Sequence, residues 1–221
     1  MGRRALPKVN PAIDTSKHLY VLEDLHPPFQ PATFFPSPES PLVIEIGSGK
    51  GLFLNTAAGH HPNQNFVGIE IAKRYAHFAG SRLAKKQLDN AIMISGDGLA
   101  FMSDFVDDQS CAAIHVYFPD PWWKERHRKR RVMKTSLIKD IERTLLPNGE
   151  LHFWTDVQEY YETTLELISK VSKLIGPHEV IPNSPEHDLD YRTHFERRMR
   201  LHQKPVYRSL FLKKNSAAIE Q

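Results

Sequence analysis

The run "VIEIGSGKG", residues 43–51, joins an apolar strand to the start of a helix through Gly47, Gly49 and Gly51. A backbone that turns sharply there and passes close to a ligand needs residues without a Cβ. In an open α/β sheet this strand-to-helix turn is where nucleotide-like ligands bind. Outward from it the pattern alternates. Strand-like runs "LVIEI", "NFVGIEI", "AIMIS", "CAAIHVYF" and "GELHFWT" are separated by "GKGLFLNTAAGHH", "KRYAHFAGSRLAKKQL" and helices predicted over residues 99–105, 134–145 and 157–174. In the last of these, Val157, Tyr161, Leu165, Ile168 and Val171 recur at helical spacing and form one apolar face. Short apolar strands between helices predict an α/β fold with a doubly wound, mostly parallel sheet covered on both faces. The final segment "PVYRSLFLKK", with Tyr207, Leu210 and Leu212 apolar, predicts a C-terminal antiparallel strand.

The chain has 221 residues, 40% of them hydrophobic, which suits one substantial core and is too short for two independent domains. The expected organisation is an N-terminal extended arm over residues 1–41 and a single domain over residues 42–221. The arm is rich in proline, and its Phe29, Phe34 and Phe35 are candidates to pack onto the core. Cys111 is the single cysteine, so no intramolecular disulfide and no cysteine zinc site can form, and no metal is expected. The start lacks the apolar segment of a secretory signal, and no later run has the length to span a membrane. The expectation is a cytoplasmic protein with no membrane partner.

Which ligand the glycine turn takes is set by its spacing and its acids. A dinucleotide site wants G-x-G-x-x-G and bare helix-terminal N–H groups for the pyrophosphate. Here the spacing is G-x-G-x-G, and Glu45 stands just ahead of it. A carboxylate is unfavourable beside a phosphate and suits a cationic group, such as the α-ammonium of S-adenosylmethionine, which carries ribose and adenine but no phosphate. Glu70 ends the next strand 23 residues beyond Gly47, about the spacing of a ribose-hydroxyl acceptor, with Lys73 close enough to be its partner instead. Asp97 follows the third strand, where it can meet an adenine amino group or cap the short helix after it.

The fourth strand ends in "YFPDPWWKERHRKRR". Pro119 and Pro121 remove two backbone donors and favour extended conformations for Phe118 and Asp120. Asp120 is therefore expected on a stiff loop at the switch point, facing the ligand of the glycine turn. Trp122 and Trp123 serve either a base or the core. Lys plus Arg exceed Asp plus Glu by only 29 − 26 = 3, yet six of the residues 124–131 are Lys or Arg. Like charges spaced three and four apart repel, so this run is no buried helix face, and its place after the Asp120 loop points to nucleic-acid phosphates.

These residues carry a resemblance. Through "EIGSGKG", "GIE", "GDG", "VYFPDPWWKERHRKRR", "FWTD" and "YRTHFERR", residues 42–213 resemble the bacterial tRNA (guanine-N7-)-methyltransferases. One departure is "HQKP" after "FERR", where the family often carries a glycine. The resemblance implies a Rossmann-like class I methyltransferase fold, with S-adenosylmethionine met by Glu45, Gly47, Gly49, Glu70, Asp97 and Asp120. It also implies Asp120 as the catalytic residue, and Lys124, Asp156, Thr193, His194, Phe195 and Glu196 as substrate contacts. Arg126, His127, Arg128, Lys129, Arg130 and Arg131 become the RNA-contacting block. The implied target is a guanosine in the tRNA variable loop. No obligatory protein partner is evident, and monomer or homodimer both remain open.

Guanine N7 already carries a free lone pair, so its methylation needs no general base. Rate must come from alignment and from stabilising the positive charge that develops on the purine, a task that suits Asp120. An arginine on N7 and O6 would obstruct the nucleophile. Acids, Asp156 and Glu196, are instead expected to accept from the Watson–Crick edge, and Lys124 to reach O6 or a phosphate; Asp156 could otherwise cap a helix and Glu196 pair with a neighbouring arginine. The reading from another class is a non-catalytic tRNA-binding protein or chaperone on the same fold, against which the complete set of acids argues.

Overall fold

Strands whose side chains are apolar at nearly every position cannot leave either face in water, and the sequence has several. The computed structural model of the chain describes residues 6–180 and 193–215, with the side chain of His194 also outside the described residues. The strands are β1 (Leu19–Val21), β2 (Leu42–Ile46), β3 (Asn65–Glu70), β4 (Ala91–Ser95), β5 (Cys111–Tyr117), β6 (Leu145–Thr155), β7 (Ile175–His178) and β8 (Tyr207–Leu212). All residues of β2 and β4 are buried. The helices are α1 (Pro31–Phe34), α2 (Leu52–His60), α3 (Lys73–Lys86), α4 (Gly98–Ala100), α5 (Thr135–Thr144), α6 (Gln158–Val171) and α7 (His194–Leu201). The helix predicted over residues 99–105 is α4 running into a π turn, Phe101–Phe105.

The strands form one eight-stranded sheet in the order β1-β4-β3-β2-β5-β6-β8-β7. Pairing is parallel from β1 through β6 and antiparallel for β6 with β8 and β8 with β7. This is the doubly wound, mostly parallel arrangement with the C-terminal antiparallel strand that the sequence predicts. Along β2 the faces alternate. Val43 packs with Leu54, Ala79 and Leu83 on one side, while Ile44 and Ile46 join Phe101, Leu137 and Ile138 on the other. Among the described residues no helix is long and apolar enough to cross a membrane.

The proline-rich N-terminal segment contributes an element that the sequence does not predict. Leu19, Tyr20 and Val21 pair with Met93, Ile94 and Ser95, so β1 forms one edge of the sheet. Phe29 and Phe35 are buried in the main core and Phe34 packs against it. Phe29 and Phe34 stack at 4.9 Å, and the Phe29 N–H donates to the Phe105 carbonyl at 2.7 Å. Leu19, Tyr20 and Val21 suit a strand, but three residues are too few to show a period; their pairing with the edge of β4 is what makes them one.

Two topological facts place the site. From β2 the chain winds outward through β3 to β4, and β5 then returns to the other side of β2. The crevice at the carboxyl ends of β2 and β5 is therefore the switch point where an open α/β sheet binds ligands.

Candidate active site

At the end of β2 the backbone enters left-handed conformations at Gly47, Gly49 and Gly51, with φ of 80°, 54° and 65°. A Cβ on Gly47 or Gly49 would meet no atom within 4 Å, so the turn is lined by open space that a ligand can fill. Gly47 and Ser48 N–H groups donate to the Ile69 carbonyl at 2.8 and 3.1 Å, which ties the turn to β3. Glu70, at the end of β3, holds it from the side: Oε2 accepts from Gly49 N–H at 2.8 Å and Oε1 from Ala72 N–H at 2.9 Å. Glu70 is thus bound by backbone N–H groups at both of its oxygens.

Glu45 is 2% exposed, and its Oε2 has no hydrogen-bond partner. Burial pushes its carboxyl up to about 8, a hydrogen bond from Ser48 acting against the shift and the nearby Glu70 charge adding to it. A buried acceptor without a donor is costly unless something supplies one. An ammonium group of a ligand seated over the glycines is a donor of the right sign, so the residues present fit S-adenosylmethionine. Asp97 is exposed, and its Oδ1 accepts from Leu99 N–H at 2.9 Å, making it the N-cap of α4.

Across the switch point, β5 runs into the loop that carries Asp120. Phe118 does not take the extended conformation that a following proline favours. Its φ is +48°, and Trp122 has φ +46°, so the loop is bracketed by two strained residues. Tertiary contacts override the local preference at Phe118. Its N–H donates to the Trp154 carbonyl at 2.8 Å, and its ring packs on Phe195 with centroids 4.9 Å apart. Asp120 is exposed, and its Oδ1 accepts from Trp122 N–H at 3.1 Å. Trp123 is 70% exposed, while Trp122 is partly covered, with His127 edge-on at 5.8 Å and the Arg130 guanidinium 5.0 Å from its ring.

The cationic run forms a 3₁₀ helix, Glu125–Arg130, with Lys124 as its exposed N-terminal flank. Arg126, Arg128, Lys129 and Arg130 are exposed and His127 is partly covered. The run has a counter-ion from outside its own sequence: Glu159 of α6 lies 3.5 Å from Arg128 and 2.6 Å from Arg131. Arg131 is turned inward, its side chain 10% exposed.

On the far side of β6, Asp156 is partly buried; burial raises its carboxyl, while a hydrogen bond from its own backbone and the charges of Arg198 and Lys204 act against that shift. The Thr193 hydroxyl accepts from Glu196 N–H at 3.0 Å and caps α7. Glu196 is 4% exposed and paired with Arg208 at 2.9 Å. Arg208 lies 4.9 Å from the Trp154 ring, and Arg198 lies 4.4 Å from the Phe195 ring. Neither Arg208 nor Glu159 stands out in the sequence, because each acts through a partner far away along the chain.

Taken in sheet order, β4, β3, β2, β5 and β6 bring Asp97, Glu70, Glu45, Asp120 and Asp156 to consecutive strand ends. Such a row can hold a ligand with cationic and hydroxyl donors on one side and present a carboxylate to a second reactant on the other. Residues 39–209 match the family described as "Putative methyltransferase". A tRNA (guanine-N(7)-)-methyltransferase of Rhodopirellula baltica is 45% identical over 221 residues, covering 97% of this chain and 81% of its own. A protein of the same name from Pediococcus pentosaceus is 32% identical over 171 residues, 77% of this chain and 80% of its own. The solved structure of the aminoglycoside resistance methyltransferase NpmB1 superposes with a TM-score of 0.54 at 15% identity, covering 79% of this chain and 89% of its own. Precorrin-6y C5,15-methyltransferase from Geobacter metallireducens does so with a TM-score of 0.54 at 15% identity, over 79% and 82%. At such identities the likeness speaks for the fold alone.

Proposed function

The chain belongs to the tRNA (guanine-N(7)-)-methyltransferase family, and from that premise we propose that it methylates N7 of a guanosine in the variable loop of tRNA. Held at the glycine turn by Glu45, Glu70 and Asp97, S-adenosylmethionine would supply an electrophilic methyl group on sulfur. The orphaned Oε2 of Glu45 beside an open glycine turn, one strand from Asp120, is the observation that carries this reading.

Each acid has a distinct task. Glu45 pairs with the α-ammonium and loses its proton in doing so. Glu70 has both oxygens engaged by backbone N–H groups, yet a carboxylate offers about four acceptor sites, so ribose hydroxyls can still donate to it. Asp97 meets the adenine amino group while capping α4.

On the acceptor side N7 has no proton to lose, so Asp120 orients the base and stabilises the positive charge that spreads over it. Asp156 accepts from N1–H and the exocyclic amino group, leaving N7 open. Glu196 joins it already oriented by Arg208, within the run Thr193, His194, Phe195 and Glu196. Lys124 reaches O6 or a phosphate. The exposed cations Arg126, Arg128, Lys129 and Arg130, with His127, hold the phosphates around a loop base, because N7 in an A-form duplex lies in a groove that side chains reach poorly. Asp120→Asn tests this directly. Single-turnover methylation should slow by roughly 10²–10³-fold with tRNA affinity unchanged, and an unchanged rate would remove Asp120 from the chemistry.

A further inference from the structure

Arg131 closes the cationic run, yet its side chain is 10% exposed where that of Arg128 is 48% exposed. Its guanidinium is already committed. Nε donates to the Pro121 carbonyl at 2.8 Å, and Nη1 and Nη2 donate to Glu159 Oε1 and Oε2 at 3.3 and 2.6 Å. It also lies 4.4 Å from the centroid of the Tyr160 ring, whose hydroxyl accepts from Met133 N–H at 3.2 Å. A planar fork matched to a carboxylate is a strong and directional ion pair, one that an ammonium group cannot reproduce.

The Pro121 carbonyl shares its peptide with the Trp122 N–H that donates to Asp120 Oδ1 at 3.1 Å, so fixing that carbonyl fixes the donor that holds the Asp120 carboxylate. Upstream, Phe118 is anchored by the Trp154 carbonyl and the Phe195 ring. Downstream, Arg131 binds the loop to α6. The Tyr160 phenol is pushed up to about 12, chiefly by burial, with the Asp120 charge adding to the shift. Three of the five Arg131 N–H groups are used by Pro121 and Glu159, and with the side chain only 10% exposed the guanidinium offers a phosphate little surface.

The geometry points to Arg131 as a positioning residue that clamps the Asp120 loop onto α6 and makes no contact with RNA. This role rests on the reading of Asp120 given above. It separates Arg131 from the exposed cations beside it in sequence, which act on the polyanion.

The test compares Arg131→Lys with Arg128→Ala, in single-turnover tRNA methylation and in tRNA binding across a salt series. Arg131→Lys keeps the charge and loses the fork. It should lower the methylation rate by roughly 100-fold while leaving the Kd for tRNA and the salt slope unchanged. Arg128→Ala should flatten the log–log slope by about 0.7–0.9. Added guanidinium ion should restore part of the rate to Arg131→Ala. Should that variant fail to fold, Glu159→Gln weakens the clamp from the other side and should lower the rate in the same sense. A salt slope flattened by Arg131→Lys, or a rate left intact by it, overturns the inference. If the unaltered protein transfers no methyl, the reading of Asp120 fails instead, while the slopes still decide whether Arg131 touches RNA.

Discussion

The two halves of the site differ in what braces the segments that carry their carboxylates. On the cofactor side, at the ends of β2, β3 and β4, backbone groups set the geometry. Glu70 is fixed by two N–H groups, Asp97 by the start of α4, and Glu45 by burial in the sheet. On the acceptor side, beyond β5 and β6, Asp120 also takes a backbone N–H, from Trp122, but side chains from distant elements brace the loops. Arg131 reaches Glu159, Phe118 meets Phe195, and Glu196 pairs with Arg208. A site for one invariant small molecule can be built into the backbone, whereas a loop that must receive a folded RNA is braced by struts that sit outside the contact surface.

That contrast can be broken first at its most heavily buried strut. The Glu196–Arg208 pair has side-chain exposures of 5% and 12%, and removing one partner of a buried pair costs about 3–5 kcal/mol. Glu196→Gln should lower the unfolding free energy by that order, measured by urea denaturation. Stability close to that of the unaltered protein would mean that α7 is held by its apolar contacts instead.

The next effect is on the cofactor side and depends on pH. With its carboxyl raised from 4.5 to about 8, Glu45 is protonated in the ligand-free fold at pH 7 and ionised in the unfolded chain. Its contribution to stability is therefore present below about 4.5 and is lost as pH rises through about 8. Pairing with the ammonium, as proposed, would ionise it. Cofactor binding should release a proton near neutral pH, and affinity should rise about tenfold per pH unit below the raised pKa. Calorimetry in buffers of different ionisation enthalpy reads the proton, and Glu45→Gln should abolish both its release and the pH slope. Proton release that survives the substitution would place the ammonium elsewhere.

The smallest effect concerns the exposed cations. Arg128→Ala combined with Arg130→Ala should flatten the log–log salt dependence of tRNA binding by about 1.4–1.8. A slope that does not move would take RNA binding away from the Glu125–Arg130 helix.

The same contrast explains what the sequence reveals. The parallel sheet, the glycine turn and the row of acids are legible because each depends on residues close together in the chain: apolar strands, G-x-G-x-G, and acids at strand ends. The inward turn of Arg131 is not legible, since Glu159 is 28 residues away and nothing in "KERHRKRR" distinguishes its last arginine from the others. Phe118 departs from the extended form expected before proline because a ring on α7 and a carbonyl on β6 outweigh a local preference. β1 escapes notice because three residues are too few to show a period, although its place at the edge of β4 is clear once the sheet is assembled.

The central claim is that this site methylates guanine N7, and the product itself tests it. Incubating the protein with tRNA and S-adenosylmethionine carrying a labelled methyl, then mapping the label by N7-selective chain cleavage, should place it on one guanosine of the variable loop. Label on an adenine or cytosine would contradict the chemistry assigned to Asp120, and tRNA binding without any label would make the protein a binder rather than an enzyme.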